Sequence, residues 1–516
     1  MDNKFQMVAK TFQGLEDVLR DELIAIGAEN VEPGLRMVSF DGDLEVMYKA
    51  NLCCRTALSV LRPVAKFTAA DTDELYDIVR DIDWSKYMSA DQTFSIDSTV
   101  NSQDFPHSKY VVYRVKDGIV DHFYDKEGRR PSIRLTGADR QFNVHITDRR
   151  VTISLNSSGE PLNQRGYRVA ATQAPINEVL AAGIIMKTGW HGESNFVDPM
   201  CGSGTFLIEA ALIARNVNPG IFRKSFAFEK WDDFDRDLFE RLYNDDSQER
   251  DFDFRIYGGD IDPEAVSVAR KNVKAAGADS VIEIVCKPFE EWTDAPQPGI
   301  LITNPPYGER LRPGNIDTLY HDIGTTLKRQ FKGYHAWILG YRDEQFAEIG
   351  LRPSVKFPIL NGSLECSLRE YVLFDGSMED FKANGGVTAN EDFNRNVRPR
   401  VRHVSDREWK EESSRFDGKR ERRPRREEHK QEKPRRFRRD DERDDRERER
   451  RPRRDDSRGF RPRKDKDKSQ KGAKGAIRVP DKGPRIDASR EVRFSEHPLR
   501  SRRGWKKNPD SEESES

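Results

Sequence analysis

Two rhythms of apolar and polar positions divide the chain. Phe5-Gln6-Met7-Val8-Ala9 suits a strand, and Leu15, Val18, Leu19, Leu23 and Ile26 recur at helical spacing, so residues 1–45 predict a small α/β unit. Between 46 and 157, Met47, Leu52, Ala57 and Leu61 predict one helix, and Leu75, Ile78, Val79 and Ile82 another. Alternation over Thr93–Thr99, Phe142–Ile146 and Val151–Leu155 predicts three strands. The mixture is that of a compact α+β module rather than a barrel.

Residues 173–378 change rhythm. Short apolar runs at Phe196-Val197, Phe254–Tyr257, Ile282–Val285, Ile300–Thr303 and Ala336–Gly340 alternate with longer helical patterns. That order predicts a mostly parallel, doubly wound α/β sheet. Two last runs, Ser354–Leu360 and Glu370–Phe374, lie around Asn361-Gly362 with no helix between them, so an antiparallel hairpin closes the sheet. An aromatic and charged insertion, roughly 216–253, lengthens this half.

Composition adds a third region. Hydrophobic and charged residues each make up 35%, too polar for one evenly built globule. The net charge of −1 hides an asymmetry: residues 401–516 hold 41 Lys and Arg against 28 Asp and Glu, and residues 1–400 hold 48 against 62. An acidic body carries a basic tail. From about Asn390 the apolar residues thin out and Arg-Pro-Arg recurs at 423–425, 451–453 and 461–463. Such composition cannot offset ordering entropy, so 379–516 are expected to be a disordered tail.

No stretch approaches the ~18 apolar residues of a membrane helix, and the charged N-terminus has no apolar core for a secretory signal. The cysteines, Cys53, Cys54, Cys201, Cys286 and Cys366, are scattered without a CxxC pair. A disulfide framework or metal site is not expected, and the compartment is reducing and cytoplasmic. Oligomeric state is left open.

Candidate chemistry begins where the strand ending at Val197 runs into Asp198-Pro199-Met200-Cys201-Gly202-Ser203-Gly204-Thr205 and an apolar helix. Glycines at such a turn let a ligand approach the backbone, and the helix N-terminus favours negative charge. The dinucleotide fingerprint would need a small residue at Leu207, and no P-loop Lys follows Gly204. A merely structural turn stays open. The next strand ends in Gly258-Gly259-Asp260-Ile261-Asp262 before Pro263. Asp260 is the candidate for ribose hydroxyls, whereas Asp262 suits helix capping at least as well.

The strand Ile300–Thr303 enters Asn304-Pro305-Pro306-Tyr307-Gly308. At the carboxyl end of a central parallel strand this loop faces the ligand crevice. Paired prolines fix the backbone, so the Asn304 amide and the Pro305 carbonyl can accept both N–H groups of an exocyclic amine. Tyr307 offers a face on which a base can stack.

These residues carry a resemblance. Asn304–Tyr307 resembles the motif of S-adenosylmethionine-dependent amino methyltransferases, and Asp198–Thr205 their methionine-binding loop. Asp198-Pro-Met-Cys-Gly-Ser-Gly-Thr205, Asn304-Pro-Pro-Tyr-Gly-Glu-Arg310 and Asn163-Gln-Arg-Gly-Tyr-Arg168 together resemble a narrower family. It comprises the bacterial guanine-N2 methyltransferases of large-subunit ribosomal RNA. The resemblance implies a ferredoxin-like part over 1–45, a THUMP RNA-binding domain over 46–157, a linker over 158–172 and a Rossmann-like class I methyltransferase domain over 173–378. It further implies S-adenosyl-L-methionine as cofactor and 23S ribosomal RNA, or its large-subunit precursor, as partner. Asn304, Pro305, Pro306 and Tyr307 would carry the chemistry. Asp198, Pro199, Cys201, Gly202, Gly204, Thr205, Asp260, Asp262, Phe289 and Asn304 would meet the cofactor.

Two departures stand out. Related enzymes often hold the adenine with an acidic residue near the third strand's end, but here Cys286-Lys287-Pro288 lacks one, leaving Phe289 and backbone groups. Asn177 stands where the family often has Lys, and a helix N-terminus explains it equally well. For RNA, Arg165, Tyr167 and Arg168 combine charge with a stacking ring, and Arg310 extends the loop; a salt-bridged linker is the alternative. Arg129, Arg130, Arg134, Arg149 and Arg150 are further candidates. The tail would bind RNA electrostatically or act as a solubilising extension. A tRNA guanine-N2 methyltransferase, an adenine-N6 DNA methyltransferase and a non-catalytic assembly factor remain alternative functions.

Overall fold

In the computed structural model, residues 4–172, 175–293, 296–307, 313–374, 376, 383 and 405–416 are described. The N-terminal elements are β1 (Phe5–Lys10), α1 (Glu16–Ala25), β2 (Glu29–Gly34), β3 (Met37–Gly42), α2 (Leu44–Cys53) and β4 (Ser59–Thr68). They are followed by α3 (Thr72–Asp81), β5 (Thr93–Asn101), α4 (Ser108–Glu127), β6 (Ser132–Ile133), β7 (Arg140–Thr147) and β8 (Arg150–Asn156). Their strands form one sheet in the order β2-β3-β1-β4-β8-β7-β5-β6. Pairing is antiparallel except at β5, which runs parallel to both β6 and β7. The joint is β4, hydrogen-bonded to β1 on one side and β8 on the other. Period-2 alternation sends Met7, Ala9, Val38, Phe40, Val144, Ile146, Val151 and Ile153 into one apolar core.

The single helix expected through Met47–Leu61 stops at Cys53, and Leu61 lies in β4 opposite Val8. Cys54 is already extended (φ −66°, ψ 121°), and the apolar spacing fits a strand as well as a helix. The strands β2 and β3 and the helix α4 were not foreseen. Gly118 of α4 explains part of this: a Cβ there would meet Val79 Cγ1 at 2.8 Å, so it marks close α3–α4 packing rather than a break.

The second half comprises α5 (Glu178–Lys187), β9 (Asn195–Asp198), α6 (Thr205–Ala214), α7 (Arg236–Tyr243), β10 (Ile256–Asp260), α8 (Pro263–Ala275) and β11 (Ile282–Cys286). Then come β12 (Gly299–Thr303), α9 (Pro313–Gln330), β13 (His335–Gly340), α10 (Asp343–Glu348), β14 (Val355–Asn361) and β15 (Leu364–Val372). The sheet order is β11-β10-β9-β12-β13-β15-β14. The first five strands are parallel, and the β14–β15 hairpin closes it antiparallel, as the Asn361-Gly362 turn predicts. Both faces are covered. Phe196, Ile300, Ile302, Trp337 and Leu339 pack against α5, α6 and α8, while Val197, Leu301, Ala336 and Ile338 pack against α9 and α10.

The insertion leaves its own half and completes the other. Phe226, Phe228, Trp231, Phe239 and Leu242 belong to the N-terminal core. Phe228 stacks on Tyr48 at 4.6 Å and on Phe226 at 5.2 Å. Arg140, 1% exposed, donates to Lys230 O at 2.6 Å and pairs with Asp232 at 3.1 Å. The Arg223 guanidinium donates to the carbonyls of Ser158, Glu160, Pro161 and Gln164. Aromatic rings thus fasten the two halves by burial, and arginines saturate the carbonyls between them.

One element falls within the stretch expected to be disordered. Ser405 opens a helix, α11 (Asp406–Ser414), by a capping box with Glu408, and it packs against β4. Trp409 and Phe416 provide apolar surface that the average tail composition hides. The rest of the expected tail lies outside the described residues, apart from Ala383.

Because Phe228 is fully buried in a core made largely by residues 5–155, Phe228→Ala is expected to cost about 3–5 kcal/mol. Hydrogen exchange should speed up in β4 and β8. Acceleration confined to the insertion itself would show that it does not brace the N-terminal half.

Candidate active site

The carboxyl ends of the neighbouring strands β10, β9 and β12 bring the predicted residues together. Asp198 closes β9 at 1% exposure, and its Oδ1 accepts from Thr303 Oγ1 at 2.8 Å and from Met200 N at 3.2 Å. Thr303 ends β12 one residue before Asn304. One carboxylate therefore ties the glycine loop to the Asn-Pro-Pro-Tyr loop. Burial, with Asp260 nearby, pushes its pKa up to about 7.

The loop is pinned to β10 as well. Cys201 N donates to Gly259 O at 2.7 Å, and Gly202 N to Asp260 Oδ2 at 3.0 Å. Gly204 takes φ +81°, and a Cβ there would meet Ala269 of α8 at 3.3 Å. Gly202 takes φ +53° with only Thr172 Oγ1, at 3.9 Å, in the direction of a Cβ, so its open side can receive a ligand. Pro199, Cys201 and Thr205 are buried. Asp260 is half-buried and holds the amides of Gly202 and Asp262, with its pKa raised by burial. Asp262 caps α8 by accepting from Glu264 N at 2.9 Å, and Asn177 caps α5 through Val179 N at 2.9 Å. Phe289 is 5% exposed and packs on Phe331 at 5.7 Å, so its ring is committed to the core rather than displayed to an adenine.

At the second loop Pro305 is buried, Pro306 exposed and Asn304 half-buried. The Tyr307 hydroxyl donates to Asn304 Oδ1, and Gln345 Nε2 donates to Tyr307 O at 3.1 Å. Tyr307 thus orients the Asn304 amide, leaving that oxygen a second lone pair. Burial pushes the Tyr307 hydroxyl well above its ordinary pKa, so it remains a donor. Arg310 lies outside the described residues.

The linker needs a correction. Arg165 and Tyr167 are each 2% exposed and cannot face RNA. Arg165 donates to Leu162 O at 2.9 Å, to Arg55 O and to Glu209 Oε1, while Tyr167 donates to Glu209 Oε1 at 2.7 Å. The physical reason is Glu209, the one charge in the apolar helix α6, whose burial demands partners. Arg168 pairs with Glu178 at 2.7 Å and donates to Ser203 Oγ and Thr205 Oγ1, both at 3.1 Å. It braces the glycine loop from behind. Arg129, Arg130 and Arg149 are exposed and paired with Asp91, Asp121 and Asp104.

Four residues went unnoticed in the sequence: Thr303, Glu209, Asn272 and Gln345. Asn272, 1% exposed, accepts from Val169 N and Ala170 N and donates to Ala170 O and Ser203 O, tying the linker to the glycine loop. Glu209 alone left a legible signal, a single charge in an apolar helix.

The geometry offers an open glycine backbone, a carboxylate one strand over for a diol, and an oriented amide oxygen, a set that fits a nucleoside carrying an amino acid beside an amine. Comparison with known proteins gives the same class. Residues 165–370 match the methyltransferase domain described as RMKL-like, 69–156 a THUMP domain and 6–61 the ferredoxin-like domain of the same group. The "Putative RNA methyltransferase slr0064" of Synechocystis is 37% identical over 71% of this chain and 96% of its own. "Ribosomal RNA large subunit methyltransferase K/L" of Syntrophotalea carbinolica is 36% identical over 72% of this chain, which spans only 54% of that longer protein. The crystal structure of "SMU.472, a putative methyltransferase complexed with SAH" matches with a TM-score of 0.66 and 30% identity, covering 73% of this chain and 100% of that one. Site geometry, domain order and extent of identity agree: the chain belongs to the RMKL-like methyltransferase family, with an N-terminal ferredoxin-like and THUMP region.

Proposed function

We propose that this protein transfers a methyl group from S-adenosylmethionine to the exocyclic N2 amine of a guanine in 23S ribosomal RNA. The observation that carries this reading is the Asn304 amide, turned by Tyr307 and linked through Thr303 and Asp198 to the glycine loop. The cofactor supplies an electron-poor methyl group. On the protein side, Gly202 and its neighbours would cradle the methionine part and Asp260 the ribose. Asn304 Oδ1 and the Pro305 carbonyl would accept the amine's two N–H bonds. Holding those hydrogens localises a lone pair that the ring otherwise delocalises, and it aims the nitrogen at the methyl carbon. Positioning and oriented dipoles supply most of the acceleration, and no strong base is required. A paired guanine must first leave its helix, and the THUMP region is the part suited to hold the surrounding RNA.

The direct test is transfer of labelled methyl groups to unmodified total RNA, followed by nucleoside mass spectrometry. N2-methylguanosine in the large ribosomal RNA is expected; N6-methyladenosine, or no product, overturns the reading. Asn304→Ala should lower kcat by about 10²–10³. Tyr307→Phe keeps the ring and loses one hydrogen bond, so it should cost about tenfold in kcat.

Asp198 predicts a pH dependence. Its pKa is raised from 3.8 to about 7, so between about pH 4 and 7 the folded protein holds a proton that the unfolded chain has released. This group therefore makes stability fall as pH rises through that window. A cationic ligand beside it favours the carboxylate, so S-adenosylmethionine should bind more tightly at pH 8 than at pH 6, releasing a proton. Calorimetry in buffers of different ionisation enthalpy measures that proton, and Asp198→Asn should flatten the slope. An equally steep slope in the variant would assign the proton elsewhere.

A further inference from the structure

The N-terminal sheet has two unlike faces. One is the apolar core; the other carries Gln6 and Lys10 of β1, Lys66 of β4, Asn143 and His145 of β7, and Arg150 and Thr152 of β8. Lys66 and His145 both lie opposite Thr152 across their strand pairs. Burial holds both Lys10 and His145 below their ordinary pKa; Lys10 adds its charge against His145, and Asp97 opposes the shift of Lys10. Lys10 and Lys66 donate to the neutral oxygens of Asn143 and Gln6. The helix α11 lies on this face. Glu412 Oε2 meets Lys66 Nζ at 2.6 Å. The Trp409 ring lies 5.8 Å from the Lys66 ammonium and 5.7 Å from the Arg150 guanidinium, and the Phe416 ring 5.7 Å from Lys66.

We propose that α11 is a displaceable cover, and that the sheet face at Lys66 and Arg150 takes single-stranded RNA once α11 leaves it. The inference rests on RNA being the substrate. A carboxylate on an ammonium and flat rings over cations are the contacts that a phosphodiester and unstacked bases would make on the same groups. The docked helix sets its Trp409 Nε1 into the seat without a hydrogen-bond partner, as Trp231 Nε1 is in the N-terminal core, so it is ring burial and charge that hold it there. The helix also keeps its own N-terminus satisfied through the Ser405–Glu408 box, so it does not depend on the sheet for its cap. Residues 417–516 hold 37 Lys and Arg against 24 Asp and Glu, so the chain that follows the cover attracts RNA to the place where the cover must yield.

The test compares the full-length protein with its Trp409→Ala/Glu412→Gln double variant for binding to a labelled oligouridylate across salt concentrations. Freeing the face should tighten binding about fivefold or more, because the apparent Kd is raised by the fraction of covered molecules. It should also steepen the salt slope by about one phosphate contact. Adding Lys66→Gln to the double variant should abolish the gain, and Glu411→Gln, which removes the same charge from an exposed position, should leave affinity unchanged. Unchanged or weaker binding with a lowered melting temperature would make α11 a fixed brace and overturn the proposal, as would a gain that survives Lys66→Gln or one that Glu411→Gln reproduces. Methyl transfer by the parent protein is read separately. An RNA-binding gain in the variants without N2-methylguanosine from the parent overturns the assigned reaction alone, and the converse overturns the cover alone.

Discussion

A carboxylate placed in the middle of an apolar helix must find partners or cost several kcal/mol, and Glu209 is that group here. Burial raises its pKa, while the Arg165 guanidinium and the Tyr167 hydroxyl hold it toward the ionised form. Both partners come from the linker. Arg165 also reaches Arg55 O at the end of α2, and the Arg55 guanidinium donates to Val217 O at 2.9 Å. One buried charge therefore fixes where the linker runs and how the two halves meet. Arg168, the residue after Tyr167, then braces the glycine loop. Placement of the N-terminal half and shape of the glycine loop follow from the same few residues.

Within the site the dependence runs through Asp198. Its single oxygen Oδ1 serves both Thr303 and Met200, so the loop that would hold the methionine and the loop that would hold the amine share an anchor. Tyr307 and Gln345 then fix the far side of the second loop. A methyl transfer that depends on aligning nitrogen, carbon and sulfur tolerates little relative motion of its two loops. The shared acceptor supplies that coupling.

Much of this was legible in the sequence, for physical reasons. Ile300–Thr303 reads as a buried parallel strand because both faces are covered, and the hairpin is legible because Gly362 takes φ +64° at the turn between the paired Asn361 and Leu364. The glycine and Asn-Pro-Pro-Tyr loops are local in sequence, so their chemistry could be stated before any fold was known. Partnerships across long separations were not legible. Arg165 and Tyr167 look alike whether they face RNA or Glu209, and the deciding carboxylate lies in another element. The rings of the insertion could not be assigned to the N-terminal core by periodicity, since their partner Tyr48 is far away in sequence. Trp409 and Phe416 were diluted by their charged neighbours.

The insertion also bears on how the chain is made. Residues 5–155 leave the ribosome first, but their core lacks Phe226, Phe228, Trp231, Phe239 and Leu242 until the following segment has been synthesised. At ordinary elongation rates that interval is on the order of ten seconds. During it the nascent N-terminal sheet exposes the apolar surface around Tyr48 that the insertion later covers. Vectorial synthesis therefore cannot finish this protein domain by domain: the first half waits, open, for a piece of the second.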